Sequence, residues 1–514
     1  MSEKRYKLHP VSAFINFVKG LKELIIPFVV IFGVNIFRDG GVSAMFTGGW
    51  IELLPVLIGG VVLLFLLIAG IIKWKRFVYW FEDGELRIEY GLFVKKKRYI
   101  PFDRIQSLNY TEGIFHRPFG LVKVKVETAG SGKMGEAEAE LTAISREDAD
   151  RIETEMEAAK RGFREPASAV EHPSEEQAEI PEEKKDARMV YRMNMRSLLI
   201  LATTSGGIGV VLSAVAVFFS QFSELIPYDA IYEEVMVLWR FGALIVALLV
   251  FIGLAIAWVI SVILTVLANY QFTIYTDEDH IYITRGLLEK KRVSVPFKRI
   301  QGVQVSQNPL RELFGYATVT VESAGGSIGD KDEKIRLFPL VKKKDMIPIV
   351  AELFPETNWT PEMTKAPKRS LRFFYRLDFL WMIPLIGVLS YFFFPLGLLS
   401  LLIVPIVLAL AVWQHRTMGY ALIGKQLTME FRGISKHTFF MMKKRIQAIE
   451  VTQSYFQRRK DVASIQATIK SGMLGATARI DHMDRQDGTR ILEWYEPSKQ
   501  KLAAHEKGQP ELSG

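Results

Sequence analysis

Three short stretches carry the residue types best suited to hold an anion: PFDRIQSL at 101–108, PFKRIQGV at 296–303 and MKKRIQAI at 442–449. Each centres on Arg-Ile-Gln, and the first two follow a basic run, Lys95-Lys96-Lys97-Arg98 and Lys290-Lys291-Arg292. Arginine offers a planar fork of donors that matches a phosphate or carboxylate, and lysine adds a mobile point charge. Arg104, Arg299 and Arg445, with Lys95, Lys96, Lys290 and Lys291, are therefore the candidate binding residues, for an anion or a peptide carboxylate. A structural role competes with this one. Ile105, Ile300 and Ile446 would point into a core while the flanking Arg and Gln tie strand edges or loops, and the lysines would form a positive rim beneath an anionic leaflet. The third copy favours the structural role, because it keeps Arg-Ile-Gln but has lost most of the basic run.

Catalytic patterns are missing from the sequence. None of the eight histidines falls in an HExxH spacing, and neither a Walker A loop nor a GxSxG elbow occurs. His9, His116, His280, His437 and His482 stand singly among polar neighbours, as surface or hydrogen-bonded residues do. SGGIGVV at 205–211 lies inside an apolar run, where small residues let helices approach rather than cradle a dinucleotide. With no cysteine, disulfides and thiolate metal sites are excluded, so neither metal nor cofactor is expected. The net charge of +9 sits mostly beside the apolar runs, which points to a membrane surface rather than to nucleic acid.

The Arg-Ile-Gln core belongs to a larger repeat. Residues 91–130 align with 286–325 without a gap, with 16 of 40 positions identical, which marks a duplicated domain. The third copy keeps Gly433 and Arg445-Ile446-Gln447 but is one residue shorter between them. In the first copy, alternation across Phe77–Phe81 and Leu86–Tyr90, around an Asp83-Gly84 turn, predicts a hairpin with one buried face. Strands are also expected near 98–102, 106–110, 122–128 and 137–141, about seven in all. A closing helix follows, with Ser145 and Asp148 as a capping box and Ala149, Ile152 and Met156 on one face.

Between the repeats lie the runs 53–72, 198–219 and 241–267, free of charge and long enough to cross a bilayer. A shorter run at 24–37 is read as a further span. The run 379–413 is read as two, turned at Pro395 and Gly397. Six spans in three hairpins would return every long polar segment to one side. Lysine and arginine crowd the flanks before and after the hairpins, whereas the loop 220–239 carries four acids and no lysine or arginine before position 240, so both termini and all three repeats are expected in the cytoplasm. The acidic, Pro- and Ser-containing stretch 162–187 reads as a disordered linker.

The paired spans, the Gly-Leu turn, the basic cluster, PFxRIQ and the following Phe-Gly resemble the bacterial pleckstrin-homology (PH)-like membrane proteins of the YdbT type, formerly a domain of unknown function. The opening KLHPVSAFINFVKGLKELIIP resembles that family's start. The resemblance implies an α+β multi-pass protein of the bacterial plasma membrane: three transmembrane helical hairpins, each followed by a PH-like β-barrel or sandwich with a C-terminal helix. The expected division is 1–75 (first hairpin), 76–161 (first module), 162–187 (linker), 188–269 (second hairpin), 270–356 (second module), 357–416 (third hairpin), 417–499 (third module) and 500–514 (tail). The implied function is non-catalytic display of three cytoplasmic modules for protein or lipid-head-group binding, in envelope stress or antimicrobial resistance. Expected partners are anionic head groups and a smaller PH-like membrane protein of the same family, with no nucleic acid. A transporter or channel built from the six spans is the alternative; the spans' shortage of ionisable groups weighs against it.

Overall fold

The computed structural model describes residues 5–21, 54–128, 138–162, 187–207, 209, 211–213, 216, 243–324, 335–472 and 475–496. The expected span at 24–37, the loop 220–239, most of the linker and the tail lie outside the described residues. The chain forms two compact units, Met1–Pro296 and Phe297–Gly514.

In the first unit, β1 (Tyr6–Lys7), β2 (Val78–Glu82), β3 (Glu85–Tyr90) and β4 (Lys96–Pro101) form an antiparallel sheet in that order. The expected Asp83-Gly84 turn joins β2 to β3, and both residues have positive φ, 51° and 72°, the geometry that matches the twist of a two-residue hairpin. β5 (Ile105–Glu112), β6 (Leu121–Thr128) and β7 (Ala139–Ser145) follow, and the helix Arg146–Gly162 closes the repeat. Ser145 caps it as expected: its Oγ accepts from Asp148 N at 3.0 Å and donates to the Asp148 carboxylate at 2.8 Å. Ala149, Ile152 and Met156 are buried with Leu86, Ile88, Ile100, Ile105, Val124 and Leu141 in one core. The strand before the hairpin, β1, is the seventh, and two residues have too little periodicity to announce it.

The second repeat supplies β8 (Arg188–Arg192), β9 (Thr273–Thr276), β10 (His280–Arg285) and β11 (Lys290–Pro296) to the same unit. These strands do not close on themselves. They continue the first repeat's second sheet, in the order β7-β6-β5-β11-β10-β9-β8.

The second unit repeats the arrangement one step along the chain. β12 (Ile300–Gln307), β13 (Tyr316–Ser323) and β14 (Ile335–Lys342) join β15 (Thr364–Lys365), β16 (Gly419–Ile423), β17 (Gln426–Arg432) and β18 (Lys436–Met442), in the order β14-β13-β12-β18-β17-β16-β15. β19 (Ile446–Thr452), β20 (Val462–Ile469) and β21 (Ala476–Asp484) form a separate three-stranded sheet. The helices Lys343–Leu353 and Arg485–Tyr495 follow β14 and β21, as Arg146–Gly162 follows β7. Chain order and sheet order therefore agree in all three repeats.

The recurrence of Arg-Ile-Gln now has a structural cause. In each repeat a one-turn 3-10 helix ends at the arginine: Phe102–Arg104, Phe297–Arg299 and Lys443–Arg445. The isoleucine opens a strand and is buried, and the glutamine is the extra residue of a β-bulge, between Ile105 and Ser107, Ile300 and Gly302, and Ile446 and Ala448. A bulge at a fixed place bends the strand as it enters the second sheet.

Among the described residues, three helical segments are long and apolar enough to cross a membrane, Leu57–Arg76, Ala247–Asn269 and Gly397–Thr417. The run 379–413 is broken near the expected place: helix Leu371–Phe392 ends, and Pro395 and a 3-10 segment lead into helix Ile403–Thr417. Gly397 is required there, since a Cβ would collide with the Leu389 carbonyl oxygen. Gly207, in the SGGIGVV stretch, faces Ser261 so closely that a side chain would strike its hydroxyl, which fits helix approach.

A candidate head-group cleft at the membrane rim of the second repeat

In every repeat the turn between the second and third hairpin strands is tied to the end of the preceding apolar helix. Arg76 Nη1 donates to Leu92 O at 2.6 Å, Leu287 N to Leu267 O at 2.8 Å and Gln414 Nε2 to Gly433 O at 3.1 Å. Gly91 and Gly286 make this turn possible. Their φ values are 140° and 106°, and a Cβ on either would collide with a carbonyl three residues on. Gly433, in the loop that is one residue shorter, has open space around it. The turns also carry exposed apolar tips: Phe93 is 80 % exposed, Val94 70 % and Ile434 68 %. A turn that hangs from a span and points apolar side chains outward suits the interfacial layer of a bilayer.

Beside this turn the second repeat has a cleft lined by Arg192, Tyr270, Gln271, Thr273, Tyr275, Thr284, Arg285, Gly286 and Lys290. It is built from four strands, β9 supplying Thr273 and Tyr275, and from the residues that leave the span. β8 ends on Arg192, β10 ends on Thr284-Arg285, β11 begins with Lys290, and Tyr270-Gln271 follow helix Ala243–Asn269 directly. Gly286 N donates to Tyr270 O at 2.9 Å, which holds the turn against the helix end. Thr273 Oγ1 donates to Gln271 O at 3.0 Å and Thr284 Oγ1 to Thr273 O at 3.4 Å, so the floor is cross-linked by hydroxyls. Three cations line the cleft and no carboxylate does.

The corresponding place in the other repeats is neutralised. Two residues before its turn glycine the first repeat has Glu89, which binds Lys95 at 2.5 Å and Lys97 at 3.0 Å. Hydrogen bonds from Lys95 and Lys97 hold its carboxyl below the ordinary carboxylate value. In the third repeat Glu430 binds Lys365 at 2.7 Å and Lys436 at 2.9 Å. Burial pushes Glu430 up, but the two lysines outweigh it and its carboxyl also lies low. Arg432, just before Gly433, stacks on Trp413 at 3.9 Å and binds Glu312 at 2.6 Å. The second repeat has Thr284 where the first has Glu89.

The sequence-predicted residues are distributed differently from one another. Lys290 is in the cleft; Lys95 is engaged by Glu89; Lys96 is exposed on β4. Lys291 pairs with Thr111 in the strand pairing of β11 with β5, and its neighbour Arg292 lies over Tyr282 at 4.9 Å and Tyr110 at 5.9 Å. Arg104 is exposed and Arg445 half-buried at the ends of their 3-10 turns. Arg299 is buried: its Nε donates to Ala324 O at 2.9 Å, Ala324 N returns a bond to Arg299 O at 2.8 Å, and Gln301 Nε2 donates to the same Arg299 carbonyl at 3.0 Å. Arg192, Arg285 and Thr284 were not singled out from sequence, although Glu89 and Thr284 each stand two residues before the turn glycine, just upstream of the gapless alignment.

Repeated strand-rich modules hung on apolar helices define a membrane protein with PH-type domains, and the bacterial PH domain model matches residues 28–160, 209–350 and 383–499. The chain belongs to that family. It is similar to the UPF0699 transmembrane protein YdbT of Bacillus subtilis (strain 168), with 35% identity over 509 residues, 97% of this chain and 99% of that protein.

Proposed function

We propose that this is a non-catalytic plasma-membrane protein whose three PH modules hang on the cytoplasmic face from six spans in three hairpins, and that the second module's cleft holds an anionic lipid head group. The observation that carries the reading is the set of Arg192, Arg285 and Lys290 around Thr284, at the end of a span, where the other repeats place a carboxylate. A cationic, hydroxyl-floored cleft at head-group depth favours a phosphate by charge and by donor geometry. The exposed tips Phe93, Val94, Leu288 and Ile434 would seat the modules against the bilayer. A smaller PH-like membrane protein of the same family remains the expected protein partner, and envelope defence the expected setting.

Native mass spectrometry of the full chain released from nanodiscs of mixed phosphatidylglycerol and phosphatidylcholine tests the proposal. The wild type should retain phosphatidylglycerol, and an Arg192→Gln/Lys290→Gln double variant should lose most of it. Equal retention of both lipids by the wild type would refute the assignment.

A further inference from the structure

Each repeat offers the same two strands for pairing, and the chain uses them twice. The third hairpin strand of the second repeat, β11, pairs with β5 of the first; that of the third repeat, β18, pairs with β12 of the second. Both junctions keep one register. The eighth residue after the core arginine of one repeat faces the ninth before the core arginine of the next: Glu112 faces Lys290, and Gln307 faces Lys436. Two strands of the same types are left over. Among the described residues, β4 of the first repeat and β19 of the third each end a sheet, while β11, β18, β5 and β12 are interior. β19 shows what the missing neighbour costs in cover. Gln447, Ala448, Glu450 and Thr452 are exposed, whereas Gln301, Gly302, Val303 and Val305 of β12 are buried.

We infer that β19 of one chain pairs with β4 of a second copy, continuing across the molecular boundary the junction that the chain already makes within itself. Applied to these strands, the shared register sets Gln453 opposite Lys95, Thr452 opposite Lys96 and Glu450 opposite Arg98. The first two pairs reproduce pairs present in the chain, Gln307 with Lys436 and Thr111 with Lys291, and the third brings opposite charges together. The edge is also finished alike. Gln453 Nε2 donates to Val462 O at 3.0 Å as Gln307 Nε2 donates to Tyr316 O at 2.9 Å. A basic run is no bar to pairing, because β11 carries Lys290, Lys291 and Arg292 and is paired. Exposed edges are commonly protected by proline, bulges or inward charge. β19 has a bulge only at its start and no proline along its seven residues. The contact is heterologous, one edge type on another, so it adds copies head to tail.

The cysteine-free chain allows a direct test. Two differently tagged full-length copies are produced together in membranes, one carrying Lys96→Cys and the other Thr452→Cys, and oxidised. Opposed strand residues lie within disulfide reach, so the mixed disulfide should form at least 10-fold more than with Lys96→Cys against Arg479→Cys on exposed β21, and adding Ile449→Pro to the Thr452→Cys copy should abolish the excess. Yields equal to the Arg479→Cys control would overturn the inference. So would capture of a different protein by Thr452→Cys in place of the second copy.

Discussion

Two residues before the turn glycine, the first repeat has Glu89 and the second has Thr284. Around that difference the same ingredients are put to different uses. In the first repeat the carboxylate draws Lys95 and Lys97 onto itself; in the second, Lys290 joins Arg192 and Arg285 around a hydroxyl floor. The core arginine divides the repeats too, exposed as Arg104 and buried against the Ala324 carbonyl as Arg299. Duplication has preserved the turn and the bulge, while single substitutions have decided which copy places a carboxylate beside its turn.

The largest effect should come from the buried arginine. Arg299→Ala leaves the Ala324 carbonyl without its charged donor and should cost about 1–3 kcal/mol. Arg299→Lys should recover little, since an ammonium cannot copy the planar fork. Arg104→Ala, at an exposed position, should cost no more than about 0.5 kcal/mol. Thermal unfolding of the full chain in detergent compares the three, and equal melting temperatures for Arg299→Ala and Arg104→Ala would erase the distinction.

A smaller loss is expected at the junction. Arg292 sits over Tyr282 and Tyr110, so Arg292→Ala should cost on the order of 1 kcal/mol, whereas Lys96→Ala, at an exposed position of β4, should be nearly silent in the same melts. The smallest effect is one of pH. Glu89 has a folded value below its unfolded one of about 4.3, so its contribution is present above that pH and is lost as pH falls through the folded value. Wild type should therefore exceed Glu89→Gln in melting temperature at pH 6, with the gap closing towards pH 3. A gap that widens on acidification would contradict the pairing.

Much of this was legible in the sequence because it is local. The Asp83-Gly84 turn, the Ser145 cap, the 3.6-residue face of Ala149, Ile152 and Met156, and the break at Pro395-Gly397 each follow from a few neighbouring residues. The burial of Ile105, Ile300 and Ile446 followed from alternation, but the bulge at the glutamine did not, since an extra residue in a strand is defined only against its partner. The junctions of β5 with β11 and β12 with β18 were illegible for the same reason. So was the cleft: Arg192 comes from a strand before the hairpin and Lys290 from one after it, and only the sheet order brings them together. Identical motifs also concealed the different burial of Arg104 and Arg299.

The central claim is that Thr284, standing where the first repeat has the carboxylate of Glu89, lets Arg192 and Lys290 hold an anionic head group. Its most direct test is the selectivity of the full chain for spin-labelled phosphatidylglycerol over phosphatidylcholine, measured by electron paramagnetic resonance in the wild type, Thr284→Glu and the neutral Thr284→Gln. The account predicts that Thr284→Glu brings the selectivity close to one while Thr284→Gln keeps most of the wild-type preference. Undiminished selectivity in Thr284→Glu would contradict it.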